Sequence, residues 1–129
     1  MEVIGEMTYK YNDNTDIIIQ YIIKVHKELG PGFLESIYRN SLLIEISSVG
    51  LKIEKEKEVK ILYKGHDVGI HRIDILVENT IIIELKTVES LSKAHYSQVR
   101  SYLKATGLNL GILVNFSKEK ADFRRIEMN

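Results

Sequence analysis

Apolar residues recur at helical spacing at Ile18, Tyr21, Ile22 and Val25, which predicts an amphipathic helix opening near Thr15. Asn14 or Thr15 can cap its start, and Gly30-Pro31 ends it. A second helical stretch runs from about Phe33 to Val49. Leu34, Ile37, Leu42, Ile46 and Val49 supply most of its apolar face, and Gly50 suits its stop. The period then shortens to two. Val59, Ile61 and Tyr63 predict a strand within residues 51–63, and the alternating charges of Glu54-Lys55-Glu56-Lys57-Glu58 mark it as a solvated edge. Lys64-Gly65-His66-Asp67 signals a turn, Val68 to Val77 a second strand, Glu78-Asn79-Thr80 a short turn, and Ile81 to Thr87 a third strand. Ser92 to Thr106 predicts a helix stopped by Gly107. Leu110 to Phe116 is an unbroken apolar run, as an interior strand requires, and Arg124 to Met128 supplies a fifth strand.

The order α-α-β-β-β-α-β-β predicts an α/β fold with a mixed central β-sheet flanked by helices. Residues 1–13 are expected to form a flexible N-terminal segment, and residues 14–129 a single domain. A chain of 129 residues suits one modest core.

Eighteen basic residues balance eighteen acidic ones, so no global field draws the chain to nucleic acid, and any such surface must come from local clustering. The chain has no cysteine, which excludes disulfides, thiolate zinc sites, iron–sulfur clusters and cysteine nucleophiles. That composition is compatible with a reducing cytoplasm, the expected location. No apolar stretch approaches a membrane span, and Met1 to Glu6 lacks the basic start and apolar core of a signal peptide, so no membrane partner is expected. The histidines at 26, 66, 71 and 95 form no zinc-binding pair, and Gly30-Pro31-Gly32 lacks a phosphate-loop lysine.

Against this background three charges are out of place. Asp74, Glu84 and Lys86 fall in strands that should carry only aliphatics. Charges seldom leave water without a partner or a metal. Asp74 and Glu84 are symmetric about Asn79, so a loop of three residues, Glu78 to Thr80, sets them opposite each other. Directly opposed residues have Cβ atoms about 5 Å apart on one face. A loop of even length would put them on opposite faces. Lys86 lies two residues past Glu84 and shares its face. Two carboxylates that close repel unless a proton or cation sits between them. Hard cations such as Mg²⁺ or Mn²⁺ take one or two carboxylates, a carbonyl, waters and a substrate phosphate. The plain alternative is a buried ion pair between the acids and the lysine.

Asp74, nine residues, then Glu84-Leu85-Lys86 resembles the core of the PD-(D/E)xK nuclease superfamily. Gly32-Phe33-Leu34-Glu35-Ser36-Ile37-Tyr38 is similar to the signature of the GxxExxY protein family within it. His26 to Gly32, Tyr63-Lys64-Gly65, Gln98 to Leu103 and Leu110 to Phe116 resemble further blocks of that family, in order, over roughly residues 15–127. The resemblance implies a restriction-endonuclease-like core holding one or two divalent metals. Asp74 and Glu84 would ligate through their side chains and Leu85 through its carbonyl, with Lys86 as the catalytic lysine. The proline that usually precedes the Asp is Ile73 here, at a position that varies widely in the superfamily.

Glu35 shares a helix face with Tyr38 and Arg39. The resemblance gives it a role at the metal, and a surface salt bridge with Arg39 is the bland alternative. Gln98 would bond a bound water or the scissile phosphate. Tyr102, one turn on, either stacks on a base or packs in the core. Tyr38, Arg72, Lys93, Arg100 and Tyr102 are the candidate substrate contacts; Arg72 should share the face of Asp74, reaching phosphate or neutralising Glu84. The resulting expectation is a Mg²⁺- or Mn²⁺-dependent nuclease hydrolysing phosphodiester bonds, in DNA rather than RNA. A homo-oligomer or partner protein would complete the grip of so small a domain. A nuclease acting on RNA is one rival, and a non-catalytic nucleic-acid-binding or protein-interaction module that keeps the fold is the other.

Overall fold

The computed structural model describes residues 12–128. The helices are α1 (Asn12–Leu29), α2 (Glu35–Ser48) and α3 (Lys93–Thr106). The strands are β1 (Ile53–Tyr63), β2 (His66–Val77), β3 (Ile81–Lys86), β4 (Leu110–Asn115) and β5 (Asp122–Glu127). They form one sheet in the order β1-β2-β3-β4-β5. Every neighbouring pair is antiparallel except β3–β4, which is parallel and joined through α3. The mixed sheet and the element order are those the hydrophobic pattern calls for.

Helices cover both faces, which is why β3 and β4 are buried along almost their whole length. On one face Ile18, Ile22 and Val25 of α1 and Tyr38, Leu42 and Ile46 of α2 pack on Ile75, Ile83, Leu85, Ile112 and Val114. On the other, Val99, Tyr102 and Leu103 of α3 pack on Leu76, Ile82 and Leu113. Gly111 permits the close approach of α3. A Cβ at that position would lie 2.7 Å from Val99 Cγ1.

Several boundaries depart from expectation. Helix α1 opens at Asn12, so Asn14 and Thr15 are helical rather than capping, and the helix takes in the last two residues of the expected flexible segment. The rest of the predicted flexible segment lies outside the described residues. The buried stripe of α2 is Tyr38, Leu42 and Ile46, while Leu34 is 73% exposed and Ile37 and Val49 also lie outward. Spacing alone could not choose between two apolar stripes on one helix; packing against α1 and the sheet did. Strand β2 starts at His66, because Lys64 and Gly65 both adopt positive φ and close a two-residue hairpin turn.

Candidate active site

The Glu78-Asn79-Thr80 loop closes as a three-residue turn, with Thr80 N–H donating to the Val77 carbonyl at 3.0 Å. Glu78 and Asn79 both take positive φ. The β2–β3 register that follows is Val77↔Ile81, Leu76↔Ile82 and Ile75↔Ile83. Asp74 and Glu84 are next in line, but the backbone ladder stops one pair short of them.

The strands part there because β2 changes side. Ile75 packs under α1 and α2, whereas Ile73, two residues away, packs under α3. In a regular strand the two would share a face. The irregularity has a counterpart on β1, where Glu56 takes φ of 50° and the β1–β2 register has no Glu56–Asp74 pair. Asp74 sits at this twist, and its carboxylate enters the gap between the strands. Its Oδ2 accepts a 2.8 Å hydrogen bond from Leu85 N–H, replacing the missing backbone partner. Asp74 N–H in turn makes a long, 3.5 Å bond to Glu84 Oε1.

This gap also frees a carbonyl. Lys86 C=O faces β4, where it accepts from Phe116 N–H at 2.9 Å. Successive residues of a strand direct their peptide groups to opposite sides, and one residue's N–H and C=O to the same side. Leu85 C=O therefore faces the β2 side with its own N–H, at the point where the ladder has ended. The apolar side chain of Leu85 is fully buried under α1 and α2.

The carboxylates are held in a strained electrostatic state. Glu84 is 4% exposed. Burial, and then the charge of Asp74, push its carboxyl up to about 8, against the pull of Lys86. Asp74 is raised as well, chiefly by burial, while the Leu85 N–H, Arg39 and Lys86 hold it down. Two cations attend the pair without closing on it: Lys86 Nζ is 3.8 Å from Glu84 Oε2, and Arg39 is 3.7 Å from Asp74 Oδ1. Glu35, at the first turn of α2, belongs to the same group, since burial and the charge of Asp74 raise its carboxyl. Among the described residues no three carboxylate or imidazole side chains gather closely enough to form a cage. Two carboxylates and a carbonyl suit a hard cation that keeps waters and meets a substrate phosphate.

The structure thus brings together Glu35, Asp74, Glu84, Leu85 and Lys86. Gln98 and Tyr102 approach from α3. The Tyr102 phenol is pushed up to about 12 by burial and then by the charges of Glu84 and Asp74, with Gln98 pulling the other way. The Tyr102 ring is buried, edge-on to His71 at 4.7 Å, so packing and not base stacking occupies it.

Other candidates lie elsewhere. Tyr38 does not reach a substrate: it is fully buried, stacked on Phe116 at 4.5 Å, and donates through its hydroxyl to Gly30 C=O at 2.5 Å. The same hydroxyl accepts from Phe33 N–H at 3.2 Å, so Tyr38 fixes the corner that delivers Glu35. Arg72 does not neutralise Glu84. It pairs with Glu58 Oε2 at 3.2 Å, its cross-strand partner on β1, because the irregularity at Asp74 breaks the shared face. Lys93 and Arg100 lie exposed on α3. His95 caps that helix, its Nδ1 accepting from Ser92 N–H.

Two further residues contribute. Arg39 shares a helix face with Glu35 but pairs with Asp74. Asn115 is fully buried opposite Lys86. Its Oδ1 accepts from Val88 N–H at 3.1 Å and its Nδ2 donates to Val88 C=O at 2.8 Å, which pins the chain just after Lys86.

The sequence model described as the PD-(D/E)XK nuclease superfamily matches residues 12–126. No curated protein matches the chain. Five chains of solved structures match. One, titled "Crystal structure of SSO0001", is 22% identical at a TM-score of 0.46, over 88% of this chain and 64% of that one. This chain therefore spans less than two thirds of that protein's length.

Proposed function

The chain belongs to the PD-(D/E)XK nuclease superfamily, and from that premise and the geometry of its carboxylates we propose that it is a Mg²⁺- or Mn²⁺-dependent nuclease that hydrolyses phosphodiester bonds in DNA. Its GxxExxY character and a cytoplasmic place of action are part of the same reading. The observation that carries it is the pair of a half-buried Asp74 and a buried Glu84 on parting strands, with Lys86 Nζ 3.8 Å from the nearer acid.

In this reading Asp74, Glu84 and the Leu85 carbonyl would hold the ion. A bound divalent cation supplies Lewis acidity toward the phosphate and makes water a stronger acid. Lys86 directs its ammonium to the attacking water or to the charge that builds on the phosphate in the transition state. Asp74 keeps its ligating orientation through the Leu85 N–H. Glu35 adds negative charge from α2 and receives or orients a proton of the attacking water, its raised pKa suiting that exchange. Gln98 supports the same centre from α3.

Isothermal titration with Mn²⁺ and cleavage of labelled DNA test the assignment together. The wild type binds Mn²⁺ and Asp74→Ala does not. Lys86→Ala retains the metal and loses about 10²–10³-fold in rate, the range for removing one preorganised donor. No binding by the wild type, or equal binding by Asp74→Ala, favours a non-catalytic module in which Arg39 and Lys86 simply neutralise the acids. Cleavage restricted to RNA overturns the choice of substrate.

A further inference from the structure

The β1–β2 hairpin reaches well past the sheet. Its ladder runs from Ile53↔Val77 to Tyr63↔His66, while β2 meets β3 only over residues 75–77. A two-stranded ribbon is weak by itself. Near its base this one leans on α3, with Val59 and Ile73 in the α3 core and His71 edge-on to Tyr102. Farther out the arm separates from the helix. The cleft between them has a volume of about 440 Å³, within the range of small-ligand sites, and takes Lys60, Leu62 and His71 from the arm and Ser101 and Lys104 from α3.

The chemistry of this cleft is one-sided. No carboxylate lines it. The neighbouring acid, Asp67, is 3.9 Å from Lys60 with both side chains largely exposed, a pairing too weak to fix the lysine. Arg100 stands exposed one turn before Lys104. Ile61, Leu62 and Ala105 give the cleft an apolar wall beside its cations. Cations alternating with an apolar surface fit a nucleotide, whose phosphates take the charge and whose base takes the wall. The inner end is His71 against Tyr102, whose phenol lies in the field of Glu84 and Asp74. Tyr102 thus stands between the inner end of the cleft and the carboxylate pair.

We propose that this cleft holds an unpaired nucleotide of the substrate strand, flanking the phosphate at the carboxylates, with Lys60 and Lys104 on its phosphates. The proposal rests on the nuclease reading and narrows its substrate. A base between arm and helix has left its stack, so the flank of the cleaved bond is single-stranded.

Fluorescence anisotropy with a labelled single-stranded oligonucleotide tests this in Lys86→Ala protein with Mn²⁺, a background that minimises cutting. Adding Lys60→Ala and Lys104→Ala should weaken binding at least about tenfold. It should also lower the slope of log affinity against log salt by about 1.4, the value for two single-strand phosphate contacts. Lys60→Arg with Lys104→Arg should restore both. Both lysines are on the surface, so melting temperature should not move. Equal affinity for duplex and single strand, an unchanged slope, or no binding at all overturns the proposal. Cleavage by the wild type judges the nuclease reading separately, because binding in the cleft needs no bond to break.

Discussion

Glu84 stands at 4% exposure beside a second carboxylate, with its nearer cation 3.8 Å away. Such a group resists ionisation, and the folded chain bears the cost whenever it ionises without a metal. Glu84→Gln keeps the shape and hydrogen-bonding capacity of the side chain and removes the charge. Differential scanning calorimetry at pH 8 without metal should show a melting temperature higher by roughly 3–8 °C, the effect of about 1–2 kcal/mol in a domain of this size. A lower melting temperature would mean that the ion pair with Lys86 holds the fold. Asp74 differs, since its carboxylate already replaces a backbone acceptor for Leu85 N–H. Asp74→Asn retains that acceptor, whereas Asp74→Ala leaves the amide unpaired.

At the scale of elements, the site depends on strands that stop pairing. Strand β3 is held firmly on its other side, in register with β4 from Ile81↔Leu110 to Lys86↔Asn115. Asn115 extends that hold past the end of the strand through both backbone groups of Val88. Asn115→Ala takes a partner from three polar backbone groups, both of Val88 and the N–H of Ser117, and should cost about 1–3 kcal/mol, measured by urea denaturation. If Asn115 also positions Lys86, kcat falls while Mn²⁺ affinity stays near wild type. A purely structural role lowers stability and leaves the kcat of the folded fraction unchanged. On the other edge, the irregularity opposite Glu56 turns Asp74 into the gap and leaves Arg72 with Glu58.

For the whole molecule, Glu35, Asp74 and Glu84 all have raised carboxyls, so their effects on stability share one sign. A raised group binds its proton more tightly folded than unfolded. The stability it contributes is complete below its unfolded value and is lost as pH rises through its folded one. With Glu84 titrating near 8, the metal-free protein should lose stability steadily between about pH 5 and pH 8. Most carboxylates, being paired or exposed, produce no such loss in that window. Thermal melts across this range should show the decline, and saturating Mn²⁺ should flatten it by taking the place of the protons. A metal-free protein equally stable at both ends would contradict the crowding of the acids.

Local chemistry was enough to fix the element order and the turn at Glu78-Asn79-Thr80. Hydrophobic period and turn residues act over a few positions, and the odd loop length set the register that aligns Asp74 with Glu84. Regular strand spacing puts Arg72 beside Asp74, and helix spacing alone turns Tyr38 toward the substrate side with Glu35, where the structure has Arg72 on Glu58 and Tyr38 in the core. Those errors have one physical origin. Which stripe of α2 turns inward, and where β2 twists, depend on packing between segments far apart in the chain, and no short window of residues contains that energy. Arg39, Asn115 and the cleft between the arm and α3 belong to the same class, since each exists only because distant elements meet.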